Sequence, residues 1–156
     1  DFYRTSQVFT DYFIDSQSFI FIVTHNGFNR ILGDAIMHTR TYKLSNLCFN
    51  VEDKFTGSKM HNIETYFHWD SNLKLNKNCE QSFTVKTEKE NGFFGQFKNL
   101  NKLKSTEDLK SEIVKGSING LGNNFPNYGK TVNASTLIFK TKVQLPVVNK
   151  YTLEWK

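Results

Sequence analysis

The chain has 156 residues, a formal net charge of +5 and 15 phenylalanines. A chain of this length can bury a single core without help from disulfides or metals. It contains no apolar run of 18 residues and no signal-peptide pattern, which excludes a membrane-spanning helix.

The lysines are scattered, and no Arg-rich run or basic helix face stands out. A modest positive balance suits an acidic polysaccharide and also suits nucleic acid, and a soluble surface of mixed charge explains it equally well. Without a basic cluster, we expect no nucleic-acid partner.

The chain reads as one predicted strand after another. Ser18–His25 is β-branched and aromatic, and the turn signal Asn26-Gly27 follows it. In the run from Leu47 to Asp53, alternation places Leu47, Phe49 and Val51 on one face. Further predicted strands are 36–44, 62–69, 73–75, 82–87, 92–97, 112–118, 135–145 and 151–155.

Other signals punctuate these strands. Asn91-Gly92 marks a hairpin, Ser105–Leu109 suits one capped helical turn, and Gly120 to Gly129 indicates a long irregular loop. Many short strands with turns between them predict an all-β fold, an antiparallel β-sandwich of roughly 10–12 strands. We interpret residues 1–156 as one domain, with residues 1–17 as an N-terminal extension or linker.

Cys48 lies in an apolar strand pattern and Cys79 in a polar turn, so the sequence permits their pairing without indicating it. The chain starts at Asp1 without a Met. It is therefore either a mature product or a piece cut from a longer protein.

Three residues on successive predicted strands suggest a metal site. His38, Asp53 and His68 fall near corresponding positions, and successive strands usually neighbour each other. Two imidazoles and one carboxylate suit zinc, with a fourth place for water. The alternative is that all three are ordinary strand residues, with Asp53 ending its strand.

Arg40 and two aromatic residues are candidate substrate-binding residues. Arg40 shares a face with His38 and offers a planar fork for a carboxylate, but a cross-strand ion pair with Glu52 or Glu64 is the alternative. Tyr66 and Trp69 suit stacking on sugar rings, and core packing is the alternative for each. No nucleophilic serine motif or phosphate-binding loop is present.

Several short motifs, in their order and spacing, resemble the C-terminal β-domain of heparinase II/III-type polysaccharide lyases. The resemblance spans roughly Ser18 to Lys156, and no single motif is specific. The matching segments are Asn26–Arg30, His38–Arg40, Phe49–Asp53, Phe67–Trp69, Pro126–Lys130 and Leu137–Pro146. The departures are Phe28, where tyrosine is usual, and the Lys/Asn-rich stretch from Lys74 to Lys104.

The resemblance implies a parent protein in which an α/α toroid precedes this domain and supplies most of the catalytic groups. Such proteins cleave uronic-acid polysaccharides by β-elimination. The resemblance also implies zinc at His38, Asp53 and His68, with His61 as a substitute for the third ligand.

From this resemblance we expect a bacterial domain that forms part of a substrate cleft and is catalytically incomplete alone. We expect a periplasmic or extracellular location, with a cytoplasmic one as the alternative. The alternative function is a non-catalytic carbohydrate-binding β-sandwich module.

Overall fold

A computed structural model describes residues 7–29, 35–87, 92–101, 109–116, 122–127 and 130–155. Most of the described residues form strands, in antiparallel sheets with the architecture of a β-sandwich, which confirms the predicted fold class. The strands are β1 Val8–Ile14, β2 Ser18–His25, β3 His38–Ser45, β4 Cys48–Phe55, β5 Met60–Trp69, β6 Leu73–Cys79, β7 Ser82–Thr87, β8 Phe93–Asn99, β9 Leu109–Lys115, β10 Asn123–Asn127, β11 Lys130–Asn133, β12 Ser135–Gln144 and β13 Val147–Trp155.

The chain divides into two compact units. The first contains residues 1–61, 99–102 and 143–154, and the second contains residues 62–98, 103–142 and 155–156.

The sheet of the first unit has the strand order β1-β2-β3-β4-β13. Two-residue turns set the register of its hairpins: Asn46 and Leu47 join β3 to β4, so that Ser45 opposes Cys48 and Arg40 opposes Asp53. Because side chains opposite each other share a face, these pairings decide which side chains meet.

The second unit contains the antiparallel strands β6-β7-β8 and β5-β12-β9. Its core is aromatic: Phe97 packs edge-on against Phe67, with ring centroids 4.8 Å apart, and Phe83 packs against Phe139 at 5.7 Å. Phe83, Phe97 and Phe139 are fully buried. At about 25 cal/mol per Å² of apolar area, such rings supply much of a domain's stability.

Some elements differ from the sequence-based predictions. Residues 8–14, interpreted above as part of an extension or linker, form β1, because they are rich in β-formers and pair along all seven positions with β2. The predicted irregular loop contains the strand β10, and β11 begins directly after it. Most of the predicted helical turn at Ser105–Leu109 lies outside the described residues, and Leu109 begins β9.

Both cysteines are free thiols. Among the described residues, no helix is long and apolar enough to cross a membrane.

Candidate functional site

The candidate site lies on one face of the sheet of the first unit, which we call the histidine face. Cross-strand register arranges this face in four rows. The rows are Val8, His25, His38, Phe55, Val147; Thr10, Val23, Arg40, Asp53, Asn149; Tyr12, Phe21, Tyr42, Val51, Tyr151; and Ile14, Phe19, Leu44, Phe49, Leu153.

The first two rows hold a chain of hydrogen bonds. His25 Nε2 lies 3.0 Å from His38 Nδ1, and His38 Nε2 lies 2.7 Å from Asp53 Oδ1. The far nitrogen of His25, Nδ1, accepts a hydrogen bond from the Gly27 N–H at 3.2 Å. This series of hydrogen bonds therefore runs from the turn after β2, across β3, to β4.

The Gly27 N–H sets the donor-to-acceptor direction of the whole hydrogen-bond series, since a backbone N–H can only donate. His25 Nδ1 must be an acceptor, which puts the proton of the neutral ring on Nε2. That proton is donated to His38 Nδ1, so His38 carries its own proton on Nε2 and donates it to Asp53. Both nitrogens of His25 and both nitrogens of His38 therefore have a hydrogen-bond partner. Neither ring is left with a nitrogen that could accept a proton from a substrate.

Asp53 is the buried anchor of this network. Its side chain has no exposed surface, and Arg40 donates to both carboxylate oxygens, from Nε at 2.6 Å and from Nη2 at 2.7 Å. The two residues are direct cross-strand partners. A bidentate guanidinium–carboxylate pair of this kind is among the stronger polar interactions in proteins.

The electrostatics of the pair keep the carboxylate ionised. Burial raises the pKa of Asp53, but hydrogen bonds from Arg40 and then His38 outweigh burial and hold this pKa below its ordinary value. The pKa of His25 is lowered, first by burial and then by the proximity of His38. Both effects favour the charge states that the hydrogen-bond chain requires.

Aromatic rings enclose the histidines. The ring of His38 stacks on Phe55, with centroids 4.3 Å apart and planes 2° from parallel, and Phe28 lies 5.2 Å from His25. These contacts leave His38 mostly buried. The environment therefore strengthens the polar bonds of the network, because little water competes for them.

The predicted zinc ligands can be tested for fit against this arrangement. At 2.7 Å, His38 Nε2 and Asp53 Oδ1 are hydrogen-bonded, whereas two ligands of a tetrahedral zinc lie about 3.4 Å apart. Arg40 also occupies the carboxylate. Within the described part of the chain, no group of three or more His, Cys, Asp or Glu side chains is placed to hold a metal ion. The residues as arranged do not fit zinc, and zinc binding stays a prediction.

His68 belongs to the second unit. Its Nδ1 lies 3.0 Å from the hydroxyl of buried Thr136, which accepts a hydrogen bond from the Gly122 N–H. The His68 side chain is exposed.

The other two predicted substrate-binding residues also lie in the second unit. Trp69 is buried and packs edge-on against Phe97, with centroids 5.4 Å apart, a placement that favours the core-packing alternative. Tyr66 is partly exposed, and its hydroxyl donates to Glu64, which raises the pKa of Tyr66. Substrate binding by Arg40, Tyr66 and Trp69 stays a prediction.

The last two rows of the histidine face are apolar and become more exposed toward β1. Val51 and Tyr151 are buried, Phe21 and Tyr42 are half-buried, and Tyr12 is exposed. Neighbouring rings along these rows lie nearly parallel, as in Phe21 and Tyr42 at 6.2 Å and 18°. The face thus presents a broad apolar surface over β1, β2 and β3.

His25 was not among the predicted site residues, and the cross-strand ion pair considered as the alternative for Arg40 forms with Asp53. Glu52 lies on the opposite face of β4, where it pairs with Lys150, so Arg40 pairs with Asp53 instead. The turn at Asn46 and Leu47 could have predicted the partner of Arg40, because a two-residue hairpin loop sets the pairing Arg40–Asp53. His25 opposes His38 in the register of β2 and β3, but a connection of twelve residues separates the two, so no short turn signalled this pairing.

Comparison with known proteins gives matches among solved structures. No family model and no curated protein matches the chain. The heparan sulfate lyase HepC from Pedobacter heparinus matches with a TM-score of 0.65 and 12% identity, over 97% of this chain and 22% of that one. The heparinase III product of the BT4657 gene matches with a TM-score of 0.67 and 12% identity, over 96% of this chain and 21% of that one.

At 12% identity the likeness is one of fold, and at that level it confirms the resemblance found in the sequence motifs. The chain spans about a fifth of the length of the lyases that it matches.

Proposed function

We propose that this chain is a β-sandwich domain of a larger heparinase-like polysaccharide lyase, which forms part of the cleft for an acidic polysaccharide and is catalytically incomplete alone. The observation that carries the proposal is the asymmetry of the structural match. Nearly all of this chain, but only about a fifth of each lyase, is shared. The matched lyases therefore contain much that this chain does not.

The hydrogen-bond chain supports a structural role for the histidine face. β-Elimination requires a base to remove a proton beside the uronate carboxylate, and a candidate base must be able to accept that proton. Both nitrogens of His25 and of His38 are committed to neighbours, and Asp53 is held by Arg40. In this role the network fixes the register of β2, β3 and β4.

The apolar rows support docking within the parent protein. Tyr12, Ile14, Phe19 and Leu44 are exposed large side chains on one sheet face. An exposed apolar surface of this breadth is typical of an interaction site. In the proposed parent, this face packs against the remaining part of the chain, which the resemblance identifies as an α/α toroid.

The proposal is tested first on the gene. The reading frame that encodes this chain should extend upstream of Asp1 into a region with helical periodicity, long enough for an α/α toroid. A stop codon directly upstream, followed by a start codon and a secretion signal, would overturn the proposal of a larger lyase.

The alternative function is a free-standing carbohydrate-binding module. The nearly parallel rings of Phe19, Phe21, Tyr42 and Phe49 favour it, since flat aromatic rows suit stacking on sugars. Glycan-array binding by the isolated chain at micromolar strength, lost in Tyr42→Ala but kept in the core variant Val85→Ala, would favour this module over the lyase domain.

A further inference from the structure

β1 is an edge strand with unsatisfied backbone groups. Among the described strands its only neighbour is β2. Antiparallel pairs alternate between bonded and non-bonded, and the bonded pairs include Gln7–Asn26 and Asp15–Ser18. The odd-numbered residues of β1 are therefore bonded to β2. The N–H and C=O groups of Val8, Thr10, Tyr12 and Ile14 point outward from the edge.

Both faces of this edge are apolar. Val8, Tyr12 and Ile14 lie on the histidine face, and Phe9 and Phe13 lie on the reverse face. These five side chains are 56–71% exposed. Natural proteins usually protect such an edge with charges, proline or a covering segment, because it is a template for another strand. Strand addition would pair the outward backbone groups and cover both faces at once.

The one charge in β1 identifies the partner. Asp11 lies at the centre of β1, and among the described residues its carboxylate accepts a hydrogen bond from the Tyr12 N–H at 2.8 Å. That N–H is one of the outward groups, so Asp11 caps the edge that a new strand would use. In the register that pairs all seven residues of two copies, Asp11 would oppose Asp11, and opposed like charges destabilise a sheet.

We propose that β1 receives an extended, apolar segment with a basic residue at its centre, contributed by the rest of the parent chain. The basic residue takes the Asp11 carboxylate, which frees the Tyr12 N–H for the incoming strand. The source of the segment depends on the proposed function above. The open edge of β1 and its preference for a basic residue are argued from this chain alone and do not depend on the proposed function.

The test uses two capped heptapeptides as probes, Thr-Val-Thr-Lys-Thr-Val-Thr and its counterpart with Glu at the centre. Each is titrated into the isotopically labelled chain, and amide shifts and hydrogen exchange are followed by NMR. We expect the Lys peptide to protect the amides of Thr10, Tyr12 and Ile14, and to bind about fivefold more tightly than the Glu peptide.

A charge swap provides the matched control. Asp11→Lys should reverse the preference between the two peptides. Glu52→Lys makes the same change in net charge three strands away and should leave the preference as it is in the wild type. Equal binding of both peptides, no protection of the even-numbered amides, or wild-type self-association through β1 in sedimentation would each overturn the proposal. The lyase-domain proposal would survive such a failure, because the upstream reading frame tests it separately.

Discussion

At the scale of single residues, the Arg40–Asp53 pair is the most consequential polar contact of the histidine face. It joins β3 to β4 and leaves the carboxylate fully buried. A buried ion pair adds little net stability compared with apolar packing, but removing one partner leaves an uncompensated charge. The pair therefore makes the register of these strands sensitive to one substitution.

Asp53→Asn should lower the free energy of unfolding by about 3–5 kcal/mol, because it leaves Arg40 without a counter-charge in a buried setting. Denaturant titration measures the effect. Glu52→Gln, on the opposite face of the same strand, removes an exposed pair with Lys150 and should cost about 0–1 kcal/mol. Similar losses in the two variants would contradict the assigned role of Asp53.

The same pair predicts a dependence of stability on acid. The pKa of Asp53 is lowered in the folded chain, so the unfolded chain binds the proton more readily. The contribution of Asp53 is complete above its unfolded pKa of about 3.9 and is lost as the pH falls through the lower folded pKa. The stability difference between wild type and Asp53→Asn should therefore shrink below about pH 4. A difference that stays constant down to pH 2 would contradict the assignment.

Zinc provides a further test at this scale. Since Arg40 and His38 already hold Asp53, equimolar zinc should leave the thermal midpoint of the chain unchanged. A rise in the midpoint that disappears in His38→Ala, Asp53→Ala and His68→Ala would contradict the arrangement described here and restore the zinc site predicted from the sequence.

At the scale of elements, the sequence predicted where most strands lie, but it predicted only some of the contacts between them. Ser18–His25 and Ser82–Thr87 were predicted with the observed bounds, since alternation and flanking turns define a strand locally. Residues 8–14 were missed as a strand, although they are rich in β-formers. The burial of Trp69 depends on Phe97, which lies 28 positions later in the chain, and no local pattern specifies that contact.

The strand faces of β4 follow the predicted alternation, but the burial differs along the strand. Phe49 and Val51 share the histidine face; Val51 is buried and Phe49 is half-buried. Phe49→Ala should therefore cost less than the about 3–5 kcal/mol expected for a fully buried phenylalanine. Phe139→Ala, at a fully buried position, should show that full cost. Denaturant titration that ranks the two variants the other way would contradict these placements.

Gly122 joins β9, β10 and β12 through its backbone. It has a φ of +74°, its carbonyl accepts from the Gly116 and Ala134 N–H groups, and a Cβ there would lie 2.6 Å from the Gly116 nitrogen. Gly122→Ala should cost more than about 2 kcal/mol, since left-handed backbone alone costs about 1–2 kcal/mol. Thr131→Ala, an exposed neighbour in β11, should change stability by less than about 0.5 kcal/mol. Equal effects in denaturant titration would show that Gly122 has no special role.

At the scale of the whole molecule, the fold agrees with the lyases while the histidine face offers no free catalytic base. The resemblance was readable from the order and spacing of several short motifs, and the structural match supports it at the level of fold. Catalytic activity could not be predicted from these motifs, because it depends on catalytic groups that can lie in other parts of a larger protein. The polymer and its linkage depend on the complete cleft.

The central proposal is that this chain is a domain of a larger lyase and has no catalytic competence of its own. The most direct measurement is the ultraviolet absorbance of unsaturated uronate product when the purified chain is incubated with heparan sulfate, beside an intact heparinase-type lyase as the positive control. The account predicts no product from the isolated chain at any pH at which it stays folded. Sustained turnover by the isolated chain, lost in His38→Ala or Tyr66→Phe variants that remain folded, would contradict it.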